Sequence, residues 1–142
     1  MLHRKLLNVL SIFNATVNTL YLVRFFGVLP PPEGVVYGYV PWFMSFTLPN
    51  IAFTLLSWLL VCSLLKKRDT LTVLIGLINA GGLIFHALNG FMFGFYSGSL
   101  RAMTTFNAVF EIVVYAYGLA LAAFYVAQVW KFIAKTGGTP KC

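Results

Sequence analysis

Two titratable side chains, Glu111 and His86, stand out because they lie within long apolar stretches of this 142-residue chain. Glu111 is the one acidic residue in such a stretch, and the other histidine, His3, lies beside the N-terminus. An ionised carboxylate is costly in hydrocarbon, so it is commonly protonated, paired or hydrated there. His86 and Arg24 are the candidate partners of Glu111. These residues predict either a proton- or cation-responsive site, or a carboxyl group that completes an amide network between helices.

Asparagines accompany these two residues in the apolar stretches, at Asn14, Asn18, Asn50, Asn79, Asn89 and Asn107. Residues spaced i, i+3, i+4 and i+7 share one face of a helix, and this spacing gives each of four stretches a polar stripe. The stripes are Ser11, Asn14, Asn18 and Tyr21; Thr47, Asn50, Thr54 and Ser57; Asn79, Gly82, His86 and Asn89; and Asn107, Glu111, Tyr115 and Gly118. Because unpaired polar groups in hydrocarbon cost several kcal/mol, we expect the stripes to face one another.

The stripes are also predicted to meet at one depth. At about 1.5 Å of rise per residue, Asn18, Asn50, His86 and Glu111 should lie roughly 8–13 Å below one face of an apolar layer about 30 Å thick. The asparagines are more numerous than a minimal helical bundle needs, which favours a hydrated or ligand-filled cavity. The alternative is that they only hydrogen-bond neighbouring helices together.

Composition shows why an apolar layer is the relevant environment. Sixty per cent of the residues are apolar and 9% are charged, against about 25% charged in ordinary soluble domains. A chain this short cannot hide so much apolar surface from water. We therefore predict an integral membrane protein in contact with lipid, and we exclude a soluble enzyme, a nucleic-acid-binding protein and a disordered chain.

The apolar stretches predict one domain, an all-α bundle of four antiparallel transmembrane helices. The spans are approximately 6–29, 41–65, 71–95 and 101–133, and a short tail covers 134–142. Eight of the ten Lys and Arg residues lie near the N-terminus, in the connection at 66–68 or near the C-terminus; Arg24 and Arg101 lie at the other boundaries. This distribution predicts that both termini face the cytoplasm, or the equivalent matrix or stroma.

A faint similarity between the two halves favours two tandem helical hairpins. The matched positions are Asn14 with Asn79, Asn50 with Asn107, and Phe53 with Phe110. Chance similarity between apolar helices is the alternative interpretation.

Small residues predict close contacts between helices, at Gly90 and Gly94 in a GxxxG pattern and at Gly76 and Ala80. Cys62 lies in an apolar stretch and is expected to be a small core residue. No metal site is predicted, because a single histidine lies in a span, and no catalytic motif is present. We therefore expect a protein that is not an enzyme and needs no cofactor, although a bound lipid or quinone would suit a Phe-rich cavity.

Three functions remain open. The first is a non-catalytic subunit or accessory component of a larger membrane assembly, with a polar contact or ligand site inside the membrane. The second is a small homo-oligomeric transporter or channel that uses Glu111 and His86, with Asn18, Asn50 and Asn107 as ligands of the transported species. The third is a lipid- or quinone-binding membrane protein.

Overall fold

The computed structural model describes residues 4–25 and 46–136, and in these ranges the chain is helical and forms no strand. The helices are α1 (Arg4–Phe25), α2 (Thr47–Leu65), α3 (Asp69–Tyr96), α4 (Ser99–Ala102) and α5 (Thr105–Thr136). The predicted all-α class is thus confirmed for the described part of the chain. Four of the helices, α1, α2, α3 and α5, are long and apolar enough to cross a membrane.

The helix bounds differ from the predicted spans chiefly before α5. The predicted span began near residue 101, whereas the chain makes the short helix α4, becomes extended at Met103 and begins α5 at Thr105. Gly98, with φ +74°, starts this detour in a left-handed conformation that suits glycine. The Thr104 hydroxyl then accepts a hydrogen bond from the Asn107 backbone N–H at 3.4 Å, as an N-terminal cap does. The end of the first predicted span, the start of the second and residues 137–142 lie outside the described ranges.

The long helices pack in the order α1, α2, α3, α5, with close backbone contact between each successive pair. Helices α1 and α5 meet instead through side chains. Ser11 Oγ and Tyr125 Oη are hydrogen-bonded at 3.1 Å, and the rings of Phe13 and Tyr117 pack edge to face with centroids 5.6 Å apart. The seam between α1 and α5 is therefore wider than the other three.

The apolar core is small, and large apolar side chains cover the outside. Leu60, Leu64, Leu83 and Leu121 are among the buried residues, whereas Leu48 and Phe106 are each more than three-quarters exposed. Cys62 is also exposed, so the expectation that it is a core residue is wrong. It lies on the outer face of α2, next to buried Val61. An apolar exterior of this kind is compatible with a membrane protein, since soluble monomers rarely expose large contiguous apolar patches.

Candidate functional site: a cavity between four helices

A cavity of about 140 Å³ lies among the four long helices. Each of these helices contributes part of its wall, and Phe46 adds to the wall just before α2. The other lining residues are Asn14, Val17, Asn18 and Tyr21 from α1; Asn50, Phe53 and Thr54 from α2; Leu83, His86, Ala87, Asn89 and Gly90 from α3; and Glu111, Val114, Tyr115, Tyr117 and Gly118 from α5.

The four residues expected at one depth, Asn18, Asn50, His86 and Glu111, all line this cavity. Each comes from a different helix, which is the arrangement that the polar stripes predicted. Asn14 and Asn89 line the cavity as well. The stripes converge because turning them inward removes their polar groups from the apolar exterior.

Glu111 and His86 lie in the wall of the same cavity but in different surroundings. Glu111 is buried, with 6% of its surface exposed. His86 is half-buried, and its ring packs near two phenylalanines, with centroids 5.2 Å from Phe53 and 5.8 Å from Phe85. The cavity therefore combines a carboxyl group from α5 with an imidazole from α3.

Three tyrosines, Tyr21, Tyr115 and Tyr117, add phenol groups to the wall. The stripe pattern included the first two and missed Tyr117. The Tyr117 hydroxyl is buried and has no hydrogen-bond partner among the described residues. Tyr115 packs directly on the backbone of α3, so that a Cβ placed at Gly90 would lie 2.6 Å from its Cε1 atom.

Ser57 joins three helices beside this cavity. Its hydroxyl accepts hydrogen bonds from Asn14 Nδ2 at 3.3 Å and from Asn18 Nδ2 at 3.0 Å. It lies 2.8 Å from Asn79 Oδ1 and 2.9 Å from the Phe53 carbonyl, either of which can accept its single proton. Asn14 and Asn18 therefore both line the cavity and connect α1 to α2.

Two of the predicted site residues do not line the cavity, and one of them, Asn79, forms the alternative contact, a hydrogen bond between helices. Asn79 is fully buried beside Ser57 and does not line the cavity. Asn107 does not line it either, because α5 begins only at Thr105 and Asn107 therefore lies in its first turn. Arg24 belongs to α1, but the position of its side chain lies outside what the structure describes.

The small residues predicted to mediate helix contacts do so between helices of this same chain. The Gly90 backbone meets Tyr115, and a Cβ at Gly94 would lie 2.8 Å from Leu100 Cγ. A Cβ at Gly76 would lie 4.0 Å from Leu60, which is ordinary contact. Ala80 is 2% exposed and belongs to the core.

The cavity can form hydrogen bonds with a bound molecule and can place a carboxyl group beside it. Within the described ranges, no three His, Cys, Asp or Glu side chains come together as a metal site. No protein-family model, curated protein or solved structure matches the chain.

Proposed function

We propose that the chain is a multi-pass membrane protein whose four long helices run antiparallel, with both termini on the cytoplasmic, matrix or stromal side. Contacts between α2 and α3 support the antiparallel order, because Ser63 pairs with Thr72 at 2.9 Å while the earlier Ser57 pairs with the later Asn79. The basic connection at 66–68 supports the orientation.

We further propose that this protein is a non-catalytic component of a membrane assembly that binds a small ligand in the cavity between the four long helices. The observation that carries the proposal is that four helices contribute polar side chains to one cavity of about 140 Å³. The described wall supplies amides, phenols, an imidazole, a carboxyl group and the Thr54 hydroxyl. Groups of this kind can hydrogen-bond a bound molecule and fix its orientation.

Native mass spectrometry of the protein released from lipid nanodiscs tests ligand binding. Gly90→Ala must displace the Tyr115 ring and so reshape the cavity, whereas Gly81→Ala meets nothing within 4 Å and is the matched control on α3. We expect the wild type and Gly81→Ala to retain a small-molecule adduct that Gly90→Ala loses. An adduct of equal occupancy in all three proteins, or in none, would contradict the proposal. The adduct mass also distinguishes a lipid or quinone from a smaller ligand.

Gentle extraction from the native membrane tests the assembly part of the proposal. Migration with other subunits at a fixed stoichiometry is the expected result. A free monomer or a small homo-oligomer would exclude the larger assembly without affecting the ligand site.

A second candidate function, proton or cation transport, is favoured by the presence of Glu111 and His86 in one cavity wall. Under this alternative, Glu111→Gln abolishes ion flux into proteoliposomes while the protein still folds and assembles. Equal flux in wild type, Glu111→Gln and empty liposomes excludes transport.

A further inference from the structure

We propose that a groove on the outer surface, between α3 and α5, binds one anionic phospholipid, with an acyl chain along the groove and the headgroup beside Lys131. The groove shares no lining residue with the cavity described above. This proposal rests on the proposed insertion of the long helices in a membrane, but not on the ligand of the cavity. The shape, length and charge of the groove support it.

Small side chains on α5 leave room in the groove for a hydrocarbon chain. Ala123 and Ala127 line it, lie one turn apart and are exposed. The larger apolar side chains of Ile84 on α3 and of Leu119 and Trp130 on α5 line it as well. A flexible acyl chain can occupy the space that the alanines leave and contact the larger side chains around it.

The length of the groove matches one leaflet of a bilayer. It reaches from Leu119 to Lys131 along α5, a distance of about 18 Å at 1.5 Å of rise per residue. Half of an apolar layer about 30 Å thick is about 15 Å. Trp130 is 72% exposed next to Lys131, and tryptophan and lysine are typical of the boundary between lipid and water. The groove therefore extends from near the middle of the apolar layer to its boundary.

Contacts between α3 and α5 indicate which boundary this is. Gly90 packs against Tyr115, whereas the earlier Leu83 packs against the later Gly118. This order supports an antiparallel arrangement of α3 and α5, in which the end of α5 lies on the same side as the start of α3. Lys131 then belongs to the same end of the bundle as the basic connection between α2 and α3.

Charge at this end favours an anionic headgroup. Lys131 is exposed and forms no ion pair within the described ranges. Lys135 follows one turn later on α5. Asp69, the acidic residue described at this end, lies 3.5 Å from Arg4 on the side of α1. Basic clusters at the cytoplasmic boundary attract anionic lipids, so a phosphatidylglycerol-like headgroup is favoured over a zwitterionic one.

A phospholipid suits the groove better than a second protein surface does. A second copy packed through the same groove would bring two Lys131 side chains and two basic ends together, and like charges disfavour that contact. A helix from another protein would have to supply an acidic group at the level of Lys131. An anionic phospholipid provides the hydrocarbon and the negative charge in one molecule.

Native mass spectrometry of the full-length protein tests the headgroup preference. The nanodiscs contain equal amounts of phosphatidylglycerol and phosphatidylcholine with identical acyl chains. We expect the wild type to retain one phosphatidylglycerol in preference to phosphatidylcholine. Lys131→Gln should lower this preference about fivefold, since one basic side chain near the surface contributes about 1 kcal/mol. Lys5→Gln is the control, because it removes the same charge from an exposed position on α1, outside the groove.

Two alanine variants on α5 test whether the lipid lies in the groove. Ala127→Phe fills the groove from outside and should lose the bound lipid. Ala116→Phe places the same ring on an exposed position of α5 outside the groove and should retain it. Both alanines are exposed, so neither substitution disturbs the core.

The other outcomes separate this proposal from those above. Equal retention of the two lipids, equal effects of Lys131→Gln and Lys5→Gln, or unchanged retention in Ala127→Phe would each overturn it. A dimer that Ala127→Phe separates would show that the groove is an interface between two copies, and this too would overturn it. A protein that stays in nanodiscs without bound phosphatidylglycerol contradicts this proposal alone. A protein that does not enter nanodiscs contradicts membrane insertion as well.

Discussion

Ser57 illustrates at the scale of a single residue how polar groups are satisfied inside this bundle. A hydroxyl offers one proton and two lone pairs. Asn14 and Asn18 occupy the lone pairs, and the proton has the Asn79 side chain or the Phe53 carbonyl as acceptor. The hydrogen-bonding capacity of Ser57 is thus fully used, and it links α1, α2 and α3.

Replacing Ser57 with alanine should destabilise the fold by about 1–2 kcal/mol, because buried amides on two neighbouring helices lose a partner. The measurement is the free energy of unfolding in mixed micelles titrated with SDS. Thr16→Val is the control, since the exposed Thr16 hydroxyl donates to the Ile12 carbonyl of its own helix. Equal effects of the two substitutions would show that the Ser57 hydroxyl does not join the helices.

Two adjacent glycines in α3 should respond in opposite ways to alanine. A Cβ at Gly82 would lie 2.5 Å from the Phe53 ring, whereas a Cβ at Gly81 meets nothing within 4 Å. Gly82→Ala should therefore destabilise the protein by about 1–3 kcal/mol through overpacking. Gly81→Ala should be neutral or stabilise it by up to about 1 kcal/mol, since alanine favours a helix. Unfolding free energies measured side by side test this, and the reverse order would contradict the packing of α2 on α3.

Residue spacing predicted much of the candidate site. Helical periodicity predicts Asn18, Asn50, His86 and Glu111. A polar stripe on an apolar helix is expected to face other polar groups inside the protein, because it is costly against lipid. Asn107 belongs to the same stripe but does not line the cavity. Nothing in the apolar pattern revealed that the chain detours through α4 before α5 begins. Tyr117 was missed because it lies outside the stripe of its own helix.

At the scale of helices, α1 and α5 differ from the other neighbouring pairs in meeting through side chains. The other helix pairs approach closely through their backbones, but here the side chains of Tyr117 and Tyr125 span the gap. Tyr125 continues the stripe of Glu111, Tyr115 and Gly118 along α5. Extending the 3–4 spacing by two turns would have found it in the sequence.

A double-mutant cycle on Ser11 and Tyr125 tests whether α1 and α5 are neighbours. Their oxygens lie 3.1 Å apart and both residues are buried. Ser11→Ala and Tyr125→Phe should show a coupling of about 0.6 kcal/mol, the average for such bonds between membrane helices. Strictly additive effects on the unfolding free energy would mean that the two helices do not meet.

The internal similarity of the two halves remains a prediction at this scale. Asn14 and Asn79 occupy comparable places, since both are hydrogen-bonded to Ser57. The other matched positions differ: Phe53 is buried while Phe110 is about half exposed. The pair formed by α1 and α2 and the pair formed by α3 and α5 therefore differ in how far these aromatic side chains are buried.

At the scale of the whole molecule, the proposed topology predicts which connections face each side of the membrane. In a background of Cys62→Ala and Cys142→Ala, a thiol at Lys67→Cys should react with an impermeant maleimide only after the membrane of the intact cell or organelle is permeabilised. A thiol at Ser97→Cys should react without permeabilisation when the reagent has access to the opposite face of that membrane. Labelling of both from the same side would contradict the antiparallel arrangement of α2 and α3.

We predict that the polar stripes of the four long helices face the shared cavity while the opposite faces of these helices contact lipid. Asn18 and Leu20 test it on one helix, because Asn18 lines the cavity and Leu20 is 57% exposed on the outer surface. The measurement is the rate at which the neutral, water-soluble reagent 2-hydroxyethyl methanethiosulfonate modifies Asn18→Cys and Leu20→Cys in proteoliposomes, in the same cysteine-free background. We predict that Asn18→Cys reacts at least tenfold faster, because thiolates form in water and not in hydrocarbon. Equal rates, or faster reaction of Leu20→Cys, would contradict the account.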